Sequence, residues 1–521
     1  MLLHDYVDYH ARETPDAEFA VVGDKCISYG EASDQINRVA QAFVASGIEK
    51  GTRFAILSNN SVEYVYLYYG ASKAGVVLVT LNYRLVPSEW TYIINDAGAE
   101  MLFVSRQYQD QIDDIKDELE SVKQLVVVGG KSKLGWTDFH DWITDQSTSP
   151  PELTISSDDD ALQMYTSGTT GLPKGAVLSH NNLTANLAQS APAIEFQPND
   201  RVLIVMPLYH VAAAWFVFSA IHRGASLYIQ EDFVPAETVR ALDEDGIQCV
   251  VLAPSLIQIC LQTVPDIAQR SYPDLRLMVW GASPIAADTL RQALDAFKCE
   301  FVEAYGMTEL SPIITTMSYA DHLRAMAGSP GLIESAGRAI TGTEIRIVDE
   351  DDIPVANGVM GEIVVRGPQV MKGYWNKPEA TAEAIRDGWM HTGDAGTLDD
   401  EGYLYIQDRI KDMIVSGGEN VYPGVVEKVL FKHPAIADAA VIGVPDEQWG
   451  ETVKAVVVLG DGQSVSEDEV IDFCRDQMGG FQRPRSVDFI DELPRNSSGK
   501  VLKRELREPY WVGHGRRVAG S

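Results

Sequence analysis

At 521 residues the chain is too long for a single core and should form two or more domains, and its 45% apolar content is ample to bury them. A formal charge of −33 argues against a nucleic-acid partner, because neutralising phosphates needs a basic face, and it argues also against docking on anionic lipid. Cys26, Cys249, Cys260, Cys299 and Cys474 are an odd, scattered set without metal-ligand spacing, which reads as reduced thiols in a cytoplasmic protein. The start, Met1-Leu-Leu-His-Asp5, lacks the basic residues and apolar run of a signal peptide, and the longest apolar patch, Val211 to Ile221, is too short to span a bilayer.

The first 150 residues read as α/β layering. Ser28 to Ser46 has helical periodicity, Arg53 to Ser58 is strand-like, Ser61 to Gly75 reads as an amphipathic helix, and Val76 to Leu81 is apolar and β-branched. Together they predict βαβ units on a parallel sheet. Pro87 starts a further helix with Ser88 as its cap, and Met101 to Val104 and Leu125 to Val128 are buried strands. The acidic, Ser/Pro-rich segment Gln146 to Asp160 is a surface connection.

It leads into Tyr165-Thr-Ser-Gly-Thr-Thr-Gly-Leu-Pro-Lys174-Gly175, a loop with the composition of a phosphate grip. Gly168, Gly171 and Gly175 allow tight turns and close approach to an anion, Thr166, Ser167, Thr169 and Thr170 supply hydroxyls, and Lys174 supplies positive charge. It is not a Walker A loop, because Lys174 is followed by Gly175 and a strand-like run and does not open a helix. Ala161 to Tyr165 and Gly175 to Ser179 predict a hairpin with this loop at its tip.

Farther on, the strand Val202 to Met206 delivers Pro207-Leu-Tyr-His210 to its end, where α/β sheets usually place ligand contacts. Leu277 to Trp280 ends in Gly281-Ala282-Ser283-Pro284, and Phe301 to Glu303 ends in Ala304-Tyr305-Gly306-Met307-Thr308-Glu309. A small-residue turn and an aromatic ring suit a flat base, Thr308 suits a phosphate, and Glu309 is a hard oxygen ligand for Mg²⁺. Beyond a strand at Glu362 to Arg366, Trp389-Met-His-Thr-Gly-Asp394 ends in a carboxylate fit to accept from ribose hydroxyls. Tyr403 to Gln407 runs into Asp408-Arg409-Ile-Lys411-Asp412, a hinge-like stretch before a smaller domain that opens with Met413 to Ser416 and Gly417-Gly418-Glu419-Asn420. Near its end lie Pro494-Arg-Asn-Ser-Ser-Gly499-Lys500 and a basic run, Lys503, Arg504 and Arg507, which by itself reads as a solvated helix.

Taken in this order, Tyr165–Gly175, Tyr305–Glu309, Trp389–Asp394, Asp408–Pro423 and Pro494–Lys500 resemble the adenylate-forming superfamily, and within it the acyl-CoA synthetases, over nearly the whole chain. The resemblance implies an α/β fold with a large N-terminal domain, residues 1–410, of stacked α/β sheets plus a β-barrel-like subdomain, and a small mobile α+β C-terminal domain, residues 411–521. It implies a two-step reaction of ATP, a carboxylic acid and coenzyme A. A carboxylate oxygen attacks the α-phosphorus and expels pyrophosphate, so no protein nucleophile is needed and charge must be neutralised as the phosphorus becomes pentavalent.

By the same resemblance, Thr166 to Lys174 holds the β- and γ-phosphates, Thr308 contacts the α-phosphate, and Glu309 with Thr169 binds Mg²⁺. The segments Gly281-Ala282-Ser283 and Glu303-Ala304-Tyr305-Gly306-Met307 flank the adenine, while Asp394 and Arg409 hold the ribose. Lys500 reaches between the carboxylate and the α-phosphate as the catalytic residue, and His210 gates the acyl pocket. In the second step the small domain turns about Lys411, so that Ser416, Gly417, Gly418 and Glu419 replace Lys500 and pass the pantetheine arm. Arg483, Arg485, Lys503 and Arg504 are candidates for the nucleotide end of coenzyme A. Relatives usually carry Glu where this chain has Val425; with Glu427 kept, a local packing change is expected.

The stretch Tyr209 to Phe216 lacks the carboxylate with which amino-acid-activating relatives hold an ammonium, and no carrier domain follows Lys500. Val211, Ala212, Ala213 and Trp215, with Gly306 opposite, give an apolar lining suited to a fatty or aryl acid. The resemblance is nearest to bacterial fatty-acyl-CoA ligases, with aryl acids of the coumarate or ferulate kind as an alternative and transfer of the acyl-adenylate to a carrier protein as another. A homo-oligomer stays open, and a nucleotide binder without catalysis has no use for Lys174, Glu309, Asp394, Arg409 and Lys500 together.

Overall fold

A computed structural model describes residues 1–130, 133–166, 172–283, 285, 287–417, 419–446, 448–475, 477–495 and 501–512. By compactness the chain divides into two units, residues 1–344 with 365–390, and residues 345–364 with 391–521.

The first unit is built on two mainly parallel sheets. In one, the fully buried strand Arg53–Leu57 lies between Val77–Thr80 and Met101–Ser105, both parallel to it. Next to Val77–Thr80 comes Asp160–Thr166, whose antiparallel partner Lys174–Ser179 makes the expected hairpin, with Thr166 opposite Lys174. The short strand Gly373–Tyr374 closes that edge, pairing antiparallel to Lys174–Ser179. The other sheet runs Arg338–Ala339, Ile313–Met317, Glu300–Gly306, Leu277–Gly281, Cys249–Leu252, Arg201–Ile204, Ser226–Ile229, Glu18–Val22 and Lys25–Ser28. A cluster around Leu203, Val250, Met278, Trp280 and Phe301 forms a core on one face of its centre.

Local signals explain most helix ends. Ser28 caps the helix Tyr29–Ala45 by accepting from the Glu31 N–H, while Glu31 returns a bond to the Ser28 N–H. The helix predicted from Pro87 has a different start. Val86 is its N-cap, Pro87 its first residue, and the Glu89 carboxylate accepts from the Val86 N–H at 3.1 Å, so Ser88 is not the cap. The helix Val62–Ala74 also departs from expectation: it is buried almost all round rather than on one face. A Cβ at Gly70 would lie 2.3 Å from Val39 Cγ1, so the helix Tyr29–Ala45 packs tightly on one side, and Tyr68 and Tyr69 meet Phe218 edge-on from another.

The second unit contains most of a five-stranded sheet in the order Glu344–Val348, Gly361–Arg366, Trp389–Leu398 and Ile385–Arg386, with Leu404–Arg409 paired antiparallel to Trp389–Leu398. Its remaining sheet runs Glu419–Val421, Ile414–Ser416, Gly450–Leu459 and Ile436–Asp446, and Ser486–Phe489 joins Gly450–Leu459 in parallel. Helices Pro423–Leu430 and Glu467–Arg475 cover it through Val426, Leu430, Val470 and Cys474. Among the described residues no helix is long and apolar enough to cross a membrane.

Candidate functional site

In the first unit three strands converge on Glu309. Asp160–Thr166 ends at Thr166, whose hydroxyl donates to Glu309 Oε1 at 3.1 Å. The edge strand Gly373–Tyr374 brings the Tyr374 hydroxyl to the same oxygen at 2.8 Å. Lys174, at the start of the hairpin's second strand, holds its ammonium 5.1 Å from the Tyr374 ring centre. Glu309 is only 4% exposed, and among the described residues no lysine or arginine pairs with it. Tyr374 was not legible as a site residue. It comes from 65 residues beyond Glu309, and the one cue was an aromatic pair, Tyr374-Trp375, after Gly373. The edge strand is held by the Asn182 amide, which donates to the carbonyls of Pro368 at 2.8 Å and Val370 at 2.7 Å.

Beside this carboxylate, the two strand ends predicted to flank a base are neighbours in register, with Gly281 opposite Ala304. A Cβ on Gly281 would sit 2.1 Å from the Ala304 carbonyl oxygen, and one on Gly306 would sit 1.8 Å from the Pro312 carbonyl oxygen, so both positions demand glycine. Tyr305 and Met307 are half-buried, and Thr308 opens the short turn Thr308–Leu310 that carries Glu309. Glu303 shares the face of Trp280 on the adjacent strand, and burial pushes its carboxyl well above the usual range although solvent still reaches part of the side chain. Ala282, in the left-handed region at φ 68°, and Ser283 complete the turn.

His210 is the N-cap residue of the helix Val211–Arg223 and follows the strand Arg201–Ile204, as expected. Its ring lies 4.4 Å from that of Tyr209, which Tyr83 meets edge-on at 5.1 Å. Ala213 and Trp215 are buried on the helix, while Val211 and Ala212 are partly open.

In the second unit Asp394 and Arg409 are direct cross-strand partners, with Arg409 Nε 2.6 Å from Asp394 Oδ1 and the Asp394 side chain 6% exposed. The turn before Asp394 is organised by Glu362, another residue that the motifs did not reveal. Its Oε1 accepts from the Gly393 N–H at 3.0 Å, and its Oε2 lies 2.9 Å from His391 Nδ1. Ser416 and Glu419 face each other across a hairpin, and Gly417 adopts φ 62° with its N–H donating to the Trp449 carbonyl at 2.9 Å. A Cβ there would meet the Trp449 ring at 2.6 Å, and that ring is 42% exposed. Lys411 lies in the turn Ile410–Asp412. Ser167, Gly168, Thr169, Thr170, Gly171, Gly418 and Lys500 lie outside the described residues.

The basic run near the end requires a correction. Lys503 to Trp511 is a helix, but Lys503 is not solvated: Nζ lies 2.9 Å from Glu427 Oε1 and 3.6 Å from Asp408 Oδ2, with 14% of its side chain exposed. Burial pushes both carboxyls up, against the downward pull of the Lys503 ammonium. In this conformation Lys503 is therefore not presented to a coenzyme A phosphate. Val425 is half-buried on the helix Pro423–Leu430, and Glu427, two residues on, carries the polar contact of that turn.

The first unit offers a hydroxyl-and-lysine hairpin end, a buried carboxylate that pairs with no lysine or arginine among the described residues, and a glycine-lined strand edge, and the second unit offers an Asp–Arg pair. The AMP-binding enzyme family matches residues 7–375, and its AMP-binding enzyme C-terminal domain matches residues 425–500. A fatty acid–[acyl-carrier-protein] ligase of Streptomyces coeruleorubidus is 34% identical over 98% of this chain and 96% of its own. A feruloyl-CoA synthase of an Amycolatopsis species is 36% identical over 96% and 97%, respectively. The solved fatty acyl CoA synthetase of Mycobacterium tuberculosis superposes with a TM-score of 0.80 at 33% identity, covering 99% of each chain. The chain thus belongs to the AMP-binding enzymes of the adenylate-forming superfamily, and it is an ATP-dependent, AMP-forming acid–thiol ligase.

Proposed function

We propose that the enzyme joins a fatty acid to coenzyme A in two steps at one site, with Mg²⁺ on the phosphates. The observation that carries this reading is Glu309, a buried carboxylate that takes two hydroxyl hydrogen bonds on one oxygen and pairs with no lysine or arginine among the described residues. A buried charge left in that state calls for a cation, and a single carboxylate sharing an ion with phosphate oxygens suits Mg²⁺. Glu309 and Thr169 would hold the ion, which when bound neutralises phosphate charge.

The remaining roles follow from the chemistry. Thr166 to Gly171 and Lys174 grip the β- and γ-phosphates, Thr308 the α-phosphate, and Lys500 stabilises the pentavalent phosphorus as the acid's oxygen attacks and pyrophosphate leaves. Gly281 to Ser283 and Glu303 to Met307 enclose the adenine, and Asp394 and Arg409 share the ribose hydroxyls. The domain from Lys411 onward then turns, and the thiol attacks the acyl-adenylate carbonyl and releases AMP. Gly417 against the exposed Trp449 ring supports a narrow path for the pantetheine arm.

The acid is read from the helix after His210. Buried Ala213 and Trp215, and a Tyr209–Phe216 stretch without a carboxylate, favour an apolar chain over an amino acid. Two of the relatives above are named for fatty acids and one for ferulate. An aryl acid is the second reading, favoured by the Tyr209 and Tyr83 rings beside His210. The five cysteines are unpaired, which supports a reducing, cytoplasmic setting.

The test is pyrophosphate release with ATP, Mg²⁺ and a panel of fatty and aryl acids, with coenzyme A, with a phosphopantetheinylated carrier protein, or with neither. Turnover on fatty acids that depends on coenzyme A and is lost in Lys500→Ala is the expected result. Turnover on aryl acids alone selects the second reading, and turnover only with the carrier overturns the coenzyme A assignment.

A further inference from the structure

The helix Pro87–Ala97 packs on the sheet of Arg53–Leu57, with Trp90, Ile93, Ile94 and Ala97 in one core with Leu57, Val79 and Leu102. Its last turn carries Asp96, a carboxylate at the end where the helix dipole favours a cation, and that turn holds no basic residue. The balance comes from distant segments of the same unit. Lys377 Nζ lies 3.0 Å from Asp96 Oδ1, and the Tyr165 hydroxyl donates to Asp96 Oδ2 at 2.7 Å. Burial, and after it the Asp96 carboxylate, push the Tyr165 phenol up, so it keeps its proton and donates. One turn earlier on the helix, the Tyr92 hydroxyl donates to the Pro173 carbonyl at 3.1 Å.

Each of these attachments ends beside a group of the site around Glu309. Tyr165 precedes Thr166, which donates to Glu309, and Pro173 precedes Lys174. Lys377 follows Tyr374, the second donor to Glu309, within the same short segment. Thr166 and Lys174 are opposite each other in register, as are Tyr165 and Gly175. A Cβ on Gly175 would lie 2.7 Å from Gln163 Nε2 and 3.0 Å from Tyr165 Cζ, so the Tyr165 ring fills the space that a side chain there would need. Lys174 carries its charge on a flexible stem, and where that charge can go depends on how firmly the backbone at its base is held. A partly exposed pair such as Asp96 and Lys377 adds little to stability; what it fixes is the place of the segments it joins.

We propose that Asp96, with Tyr92, is a positioning residue for the triphosphate: from one packed helix it holds the backbone beside Thr166, Lys174 and Tyr374, and so sets Lys174 and Glu309 for the β- and γ-phosphates and their Mg²⁺. The inference rests on the reading of Lys174 as a contact to those phosphates.

Calorimetric titration of the full-length enzyme with ATP and Mg²⁺, and separately with AMP, tests it, because AMP lacks the two phosphates concerned. Asp96→Asn should weaken ATP binding about tenfold and leave AMP binding within about twofold. Tyr92→Phe removes a single hydroxyl and should weaken ATP about threefold with AMP unchanged. Lys377→Arg keeps the ion pair and should retain wild-type affinity for both nucleotides. Should Asp96→Asn not fold, Tyr92→Phe decides the matter. Equal losses for ATP and AMP mark a merely structural role and, like an unchanged ATP affinity, overturn the proposal. Lys174→Ala separates the two levels: if it leaves ATP affinity intact, the phosphate reading of Lys174 fails and takes this inference with it, whereas a loss of ATP affinity in Lys174→Ala but not in the Asp96 and Tyr92 variants removes the positioning role alone.

Discussion

Glu309 in the first unit and Glu427 in the second are enclosed carboxylates that accept short hydrogen bonds, and they differ in what balances their charge. Glu309 has two hydroxyls, from Thr166 and Tyr374, and no protein cation among the described residues. Glu427 has Lys503 at 2.9 Å, and Asp408 completes the cluster from the far side. An uncompensated buried carboxylate is costly unless something arrives to neutralise it, whereas a compensated one is a fastening. The difference separates a place where a ligand is received from a place where the chain holds itself.

The sharpest way to break this distinction is to neutralise each glutamate. Glu309→Gln should cut pyrophosphate release by about 10²–10³-fold, equivalent to about 3–4 kcal/mol of transition-state stabilisation, while its urea midpoint holds or rises because no protein ion pair is lost. Glu427→Gln should do the reverse in stability, lowering the free energy of unfolding by about 3 kcal/mol because Lys503 and Asp408 are left buried with an incomplete partner set. If both variants lose stability equally, the contrast between receiving and fastening fails.

A buried base extends the comparison. His180 accepts from the Leu3 N–H through Nδ1 at 3.3 Å, its Nε2 is buried without a hydrogen-bond partner among the described residues, and His4 lies edge-on at 6.3 Å. Burial, the charge of His4 and the chain's amino terminus pull its pKa down to about 4, against Asp159 and Asp5. The unfolded chain takes up a proton near pH 6.5 that the folded site refuses, so stability is full above that value and is lost as pH falls toward 4, by up to about 3 kcal/mol. His180→Gln should flatten that part of the stability profile; an unchanged slope would assign the acid sensitivity elsewhere.

The smallest effect concerns the neighbour of Glu309. Tyr374→Phe removes one hydroxyl from a carboxylate that keeps Thr166, so catalysis should fall by about tenfold or less, corresponding to about 1 kcal/mol. A loss as large as that of Glu309→Gln would mean that Tyr374 touches substrate itself.

Much of the fold was legible because its signals are local. The periodic helix from Ser28, the strand-like runs that became Arg53–Leu57 and Val77–Thr80, and the hairpin around the glycine-rich loop are each set by residues within a few positions of one another. The helix Val62–Ala74 was expected to be amphipathic, yet it is buried almost all round, with the rings of Tyr68 and Tyr69 against Phe218. Lys503 misled for a related reason: a basic run looks solvated until acids 76 and 95 residues earlier in the chain are folded over it.

The sequence by itself determined which chemistry the protein carries, since hydroxyl-rich turns, a hard carboxylate and lysines are properties of residue type and order. Only the tertiary structure decided which of those groups stand alone and which are answered. Tyr374 reaches Glu309 because a two-residue edge strand pairs with the hairpin, Glu362 supports the turn before Asp394 across a sheet, and Lys503 meets Asp408 through the packing of the helix Pro423–Leu430. Each of these depends on burial and on contacts between distant segments, and the free energy of a charge is set by what surrounds it in space rather than along the chain.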